Sequence, residues 1–265
     1  MKRRMYFIGT ICIILLLTAN TCKKPCVPGK DPECTDVPPP DGEYVTPPND
    51  AFVENFPDGE FEKGFKEESV EGVKFDDYSS SWIRTLNGLA ALPPDMGGSM
   101  ALLTAKKAKE PVGGYFALNM TTVLLQLNAG TKILIPGAVG TISESFINEF
   151  LDQSGKITVR KDFSEKPTAL KGYMKYAPVR GDSAAIEIEL YNGADVIGRG
   201  LLVEKRTINN WVAFEVPIHY SNAAAAVTGL KLIFSSSAGY NFNDLLHCVG
   251  QAGSSFTIDR IWWTF

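Results

Sequence analysis

The stretch KPTALKGYMKYAP, Lys166–Pro178, sets the tightest limit on what this chain can fold into. Read with a period of two, Leu170, Gly172, Met174 and Tyr176 fall on one face and Lys171, Tyr173 and Lys175 on the other. Residues alternate in this way across a half-buried β-strand and not along a helix. Pro167 and Pro178 bracket the run, at positions where a missing N–H is tolerated. The same alternation returns downstream. Ala184–Tyr191 turns Ile186, Ile188 and Leu190 inward and Glu187, Glu189 and Tyr191 outward. In Trp211–Tyr220 the inward set is Val212, Phe214, Val216 and Ile218, and the outward set is Trp211, Glu215 and His219. Gly229–Ser236 carries Leu230, Leu232 and Phe234 on one side and Ile233 on the other.

Two runs change parity midway. Phe116–Asn128 shifts its inward set from Phe116, Leu118 and Met120 to Val123, Leu125 and Leu127, which predicts a bulge near Thr121 or Thr122. The closing run SSFTIDRIWWTF shifts from Phe256 and Ile258 to Ile261, Trp263 and Phe265, predicting a second bulge around Asp259–Arg260. Lys156–Phe163 reads as a further strand, and Ser143–Gln153 as one short helical stretch. Short strands joined by turns such as NGAD and RGDS make this an all-β chain with little helix, folded as an antiparallel β-sandwich. Residues 51–265 are too many for an immunoglobulin sandwich of ~100 residues, so an elaborated jelly roll fits better. Matching core faces about the APVRGDS loop predicts a hairpin of Leu170–Tyr176 with Ala184–Tyr191. That register sets Lys171 opposite Glu189 and Tyr173 opposite Glu187.

The N-terminus is of another kind. MKRRMYFIGTICIILLLTANTC has a basic start and an apolar run, Met5–Leu17, shorter than the ~20 residues of a membrane-spanning helix. It reads as a secretory signal over residues 1–21. A cysteine directly after such a run resembles the bacterial lipoprotein signal, with Cys22 lipidated. An ordinary secreted protein cut nearby is the alternative. Residues 22–50 are dense in proline and short polar residues, a tether with little to bury. Within it Cys26 and Cys34 could close a small disulfide loop in an oxidising compartment, which leaves Cys248 as the odd one, expected to be buried. Net charge is −4. Without Lys2, Arg3 and Arg4, 23 basic face 30 acidic residues, for −7. No basic surface of the kind that binds nucleic acid is indicated.

The order of KPTALKGYMKYAP, GDSAAIEIELY, NNWVAFEVPIHY, LKLIFSSSAG and GQAGSSFTIDRIWW resembles the PCMD carbohydrate-metabolism domain family of Bacteroidetes lipoproteins. The acidic-aromatic opening VENFPDGEFEKGF and the segment WIRTLNG match it more loosely. The resemblance implies a jelly roll of the galactose-binding-like, carbohydrate-binding-module type on an outer membrane lipoprotein, facing the periplasm or the cell surface. Its partner would be a glycan or polysaccharide.

Sugars stack their C–H faces on aromatic rings while polar groups take up the hydroxyls. Trp211, Glu215 and His219 on one strand face, Tyr173 on another, and Trp82 with Asn87 on a loop are the candidate carbohydrate-binding residues. Trp262 and Trp263 point to opposite faces, Trp263 with the core and Trp262 outward. No cofactor is required. Related sandwiches hold a structural calcium, for which Glu54 or Glu62 with Asp259 are the candidates. Catalysis has little support: His219 and His247 belong to no triad spacing, and Ser235–Ser237 reads as a strand end. A carboxylate pair acting as a glycoside hydrolase is the enzymatic alternative. A surface assembly or adhesion protein without sugar affinity is the third reading.

Overall fold

The structure, a computed structural model, describes residues 55–70, 72–91, 99–109, 116–126, 130, 132–142, 162–240 and 248–265. The leader, Cys22, Cys26, Cys34, the tether, Glu54, the Ser143–Gln153 helix, most of the Lys156–Phe163 strand and His247 lie outside them.

All regular structure among the described residues is β. The first strands in chain order are β1 (Phe65–Val70), β2 (Val73–Tyr78), β3 (Arg84–Thr85), β4 (Asn87–Ala91), β5 (Ser99–Leu103) and β6 (Ala105–Lys109). Then come β7 (Phe116–Thr121), β8 (Val123–Gln126), β9 (Lys132–Ile135), β10 (Ala138–Gly140), β11 (Ala169–Ala177) and β12 (Ala184–Asn192). The last are β13 (Asp195–Glu204), β14 (Ile208–Pro217), β15 (His219–Tyr220), β16 (Gly229–Ser235) and β17 (Ser255–Thr264).

Two sheets form the sandwich. One is five-stranded, in the order β14-β11-β17-β7-β6; the other is six-stranded, β15-β13-β12-β16-β10-β3. Their inner faces supply one continuous core. Leu170, Met174, Tyr176, Phe214, Ile258 and Trp263 come from the first sheet, and Ile186, Ile188, Leu190, Leu232 and Phe234 from the second. The inward sets read from the period of two hold for the runs at 170–176, 184–191, 211–220 and 229–236, for Leu118 and Met120, and for the closing run apart from exposed Phe265. Phe116, Val123 and Leu125 are only half-buried and lie outside this core, and Leu127 lies outside the described residues.

The predicted hairpin does not form. β11 pairs with β14 and β17, whereas β12 pairs with β13 and β16, so the two runs lie in different sheets. Arg180 and Gly181, both at positive φ, turn the chain across the sandwich between them. Two strands with matching apolar faces can share a core across the gap as readily as side by side, and face matching does not distinguish these. Lys171 consequently meets Glu215 on β14 at 3.1 Å, and not Glu189.

The predicted Asp259–Arg260 bulge is present. Lys171 faces Trp262 and Tyr173 faces Asp259, so Arg260 and Ile261 together oppose Gly172 alone, with Arg260 at φ 47°. At Thr122 the break is a change of partner instead of a bulge. β7 pairs in the five-stranded sheet, while β8 leaves it to pair with β9. Thr122 itself bridges to the last loop, donating its N–H to Ser254 and accepting from Gly253.

The N-terminal loop completes β17 beyond the bulge, where β7 no longer reaches. The Ile261 N–H donates to the Gly59 carbonyl at 2.9 Å. Asn55 brackets Trp263 through two bonds, Nδ2 to its carbonyl at 2.8 Å and Oδ1 from its N–H at 3.0 Å. Asp58 holds this loop in shape, its carboxylate accepting from the N–H groups of Glu62, Lys63 and Gly64.

Candidate functional site: the outer face of the five-stranded sheet

The bulge in β17 decides which tryptophan faces which way. An uninterrupted strand would keep one parity, and Trp262 would follow Ile258 into the core. The extra residue returns Ile261 and Trp263 to the core and turns Trp262 outward beside Tyr173. Re-aiming a side chain is a common use of a bulge. Gly172, opposite it, makes room beneath: a Cβ there would come within 2.7 Å of the Phe214 ring and 2.8 Å of Ile261.

Register then arranges the outward side chains in rows across the strands. One row runs from Trp211 on β14 through Lys175, Thr257 and Asn119 to Lys106 on β6. A second holds Ala213, Tyr173 and Asp259, with Ala117 and Ala108 paired on the two strands beyond. The third is Glu215, Lys171 and Trp262. Neighbouring strands lie ~4.8 Å apart, so the first row spans about 19 Å, the length of several sugar residues.

Aromatic rings gather in this face as a small apolar cluster separate from the main core, made of Ala117, Tyr173 and Trp211 with Ala108, Ala213 and Trp262 packed against it. Trp262 tilts against Tyr173 at 6.0 Å between ring centroids, and the Lys175 ammonium sits 4.3 Å from the Trp211 ring centre. Tyr173 and Trp211 are only 5% and 4% exposed. They form the layer behind the face, and half-buried Trp262 is the most accessible of its three large rings. Burial pushes the Tyr173 phenol up, against the opposing pull of the Arg260 guanidinium.

Three of the six candidate sugar-binding residues, Tyr173, Trp211 and Glu215, are thus brought together here. His219 is not. Pro217 ends β14, and the chain crosses to the other sheet, where His219 pairs with Arg199 on β13 and is exposed. A period of two continued through Pro217 could not register that crossing. Trp82 packs edge-on against Phe56 and Phe163, which themselves pack on Trp263. Asn87 is buried, and both ends of its amide are engaged by backbone: Oδ1 accepts from Thr104 and Ala105, and Nδ2 donates to the Ala105 carbonyl. Of the calcium candidates, Glu62 accepts the Phe116 N–H at 2.7 Å, and buried Asp259 lies 3.9 Å from the Arg260 guanidinium. Among the described residues no group of three or more His, Cys, Asp or Glu side chains could hold a metal ion.

The six-stranded sheet presents a different outer surface. Lys231 donates to Glu187 at 3.3 Å and to Glu189 at 3.0 Å. Tyr191 also donates to Glu189, at 2.8 Å, Tyr240 donates to Glu187, and Arg199 stands 3.6 Å from Glu189. Burial pushes the Glu189 carboxyl up, but the Lys231 charge and the Tyr191 hydroxyl more than offset it and hold the group below its usual range. A glycosidase needs one carboxyl of its pair held protonated. Glu189 is held the other way. Asp77 on β2 is the contrasting case. Burial raises it above its usual range although Thr85 and Arg84 pull it down, and Glu68 is its acidic neighbour.

Ser235–Ser237 are fully buried, at the end of β16. Thr122 bonds to the hydroxyls of both Ser236 and Ser237 at 2.7 Å, and Ser237 donates to Asp182 at 2.6 Å. These serines knit three loops together, in keeping with the strand-end reading. The outward turn of Trp262 was read from the sequence, although it was not among the candidate sugar-binding residues; the hydroxyl strip beside Asn119 was the part of the face least visible there. The parity switch in β17 signalled the first, and nothing short of the β7–β17 register could place the second.

No family model matches the chain, and no curated protein sequence matches it. Among solved structures, a Bacteroides thetaiotaomicron protein described as a "putative glycoside hydrolase" is similar with a TM-score of 0.50 and 13% identity, over 82% of this chain and 72% of that one. At that identity the likeness is one of fold. Two carbohydrate-binding modules are more distantly similar. One is specific for non-crystalline cellulose (TM-score 0.28, 11% identity, 60% of this chain and 81% of that one). The other is a promiscuous module of the β-sandwich superfamily (TM-score 0.32, 8% identity, 77% and 87%). The chain is an all-β antiparallel sandwich.

Proposed function

We propose that this protein is a non-catalytic, glycan-binding lipoprotein of the cell envelope, anchored through Cys22 and displaying the sandwich on the tether of residues 23–50. The binding face is the outer face of the five-stranded sheet. The observation that carries this is the bulge-directed placement of Trp262 over Tyr173, within a face that also holds Trp211, Lys171, Lys175, Glu215 and Thr257. A pyranose would lay its C–H face on Trp262, with lysine, carboxylate and hydroxyl groups at its edges. The Bacteroides protein of like fold carries a glycan-directed description, which fits the same setting. The leader sequence and the PCMD resemblance supply the envelope and lipoprotein part of the reading.

A glycan panel on the full chain tests it. Binding reduced at least about tenfold by Trp262→Ala, with no sugar released, is the expected result. Reducing-end release that Asp77→Asn removes would replace it with the hydrolase reading. Silence on every glycan would replace it with the assembly or adhesion reading.

A further inference from the structure

The hydrogen-bond polarity of the same face narrows what it would bind. Asn119 lies on β7 between β17 and β6, buried except for 9% of its surface. Its Nδ2 donates at 2.7 Å to Ser255 Oγ and at 2.7 Å to Thr257 Oγ1, and its Oδ1 accepts from Thr121 at 3.2 Å. A hydroxyl has one proton and two lone pairs. Because Ser255 and Thr257 each accept from Asn119, each retains its own proton, and that proton has no acceptor among the described residues. Both hydroxyls are half-buried on the outward side of the sheet and are left as donors.

Lysines stand on either side. Lys175 pairs with Thr257 from β11, and exposed Lys106 pairs with Asn119 from β6. The two acids of the face are each matched by a cation, Glu215 by Lys171 at 3.1 Å and Asp259 by Arg260 at 3.9 Å. Among the described residues, Lys106, Lys171, Lys175 and Arg260 line the face with the two acids Glu215 and Asp259, on a chain whose net charge is −4. A strip of hydroxyl donors between ammonium groups favours a ligand rich in acceptors, and ionised acceptors most of all.

We infer that the face selects an acidic glycan, one carrying uronate or sulfate groups, whose anionic group lies over the Ser255–Thr257 strip between Lys175 and Lys106. This rests on the glycan-binding reading above and adds the charge class of the sugar.

The test compares polygalacturonate with its fully methyl-esterified form, the same polymer without the charge, using the full chain and isothermal titration at low and high salt. The expected result is about tenfold tighter binding of the free acid at low salt, a gap that narrows as salt screens it. Lys106→Gln should cut binding of the acid severalfold and weaken the ester much less, so that the preference for the acid shrinks. Asn119→Asp makes the central group an acceptor, turns both hydroxyl protons inward, and should abolish the preference. Should that variant fail to fold, exposed Lys106 still decides the matter. Equal or tighter binding of the ester, or a preference for acid that Lys106→Gln leaves intact, overturns the inference while the glycan reading stands. Binding confined to neutral members of the panel has the same consequence. No binding to any glycan overturns both.

Discussion

On the six-stranded sheet, Glu187, Glu189, Lys231, Tyr191 and Tyr240 face outward and satisfy one another. On the five-stranded sheet, Ser255 and Thr257 face outward with protons still to give, beside a tryptophan turned out by a bulge. Both surfaces come from the same strand alternation, and both mix aromatic with charged residues. Composition alone would nominate either one. What separates them is whether the donors and acceptors cancel within the protein. A network closed on itself is structural; one that ends in oriented donors is set up for something outside it.

That contrast can be broken experimentally, and the largest effect belongs to the closed network. Lys231→Met removes the cation shared by two mostly buried carboxylates, leaving Glu189 only the more distant Arg199. It should cost about 3 kcal/mol, measured as a shift in denaturant midpoint, with glycan binding by the folded fraction unchanged. A loss of binding without loss of stability would reverse the assignment of the two faces. Beneath the other face, Gly172→Ala pushes a methyl group into Phe214 and Ile261 opposite the bulge. We expect about 1–3 kcal/mol of destabilisation, read from the same midpoint, together with weakened binding as Trp262 is displaced.

Acid should act on the closed network first. The folded Glu189 carboxyl sits below its usual 4.5, so its stabilisation is fully present above that pH. It is lost as pH falls through the lower, folded value. A thermal-melting series should therefore show stability falling below about pH 4.5, and Lys231→Met should blunt that slope. The smallest effect is expected from Glu215→Gln. The Lys171–Glu215 pair is 34% and 47% exposed, and removing it should change stability by less than about 1 kcal/mol in the same melts.

Period-two reading recovered the architecture well because a buried face leaves a strong imprint: Ile186, Ile188 and Leu190, or Leu170, Met174 and Tyr176, have no other consistent place. The β17 bulge was legible for the same reason, since Phe256 and Ile258 against Ile261 and Trp263 cannot share one uninterrupted parity. Pairing was less legible. Lys171 has a carboxylate opposite it, but that carboxylate is Glu215 on a strand more distant in sequence, because the turn at Arg180–Gly181 crosses the sandwich. Half of the candidate sugar-binding residues converge. Trp82 and Asn87 do not, since an aromatic in a polar loop and an asparagine before a glycine look the same whether they serve a ligand or the fold. His219 was misplaced by one proline. The Asn119 strip depends on β7 lying beside β17, a contact between residues more than a hundred positions apart.

The most direct test of the central claim sets one residue of each face against the other. The full chain, Trp262→Ala and Arg199→Gln should be titrated with the best glycan of the panel, their folding checked by denaturant midpoint. The account predicts that Trp262→Ala weakens binding at least about tenfold while Arg199→Gln binds as the parent does. Loss of binding in Arg199→Gln, with Trp262→Ala unaffected, would contradict it.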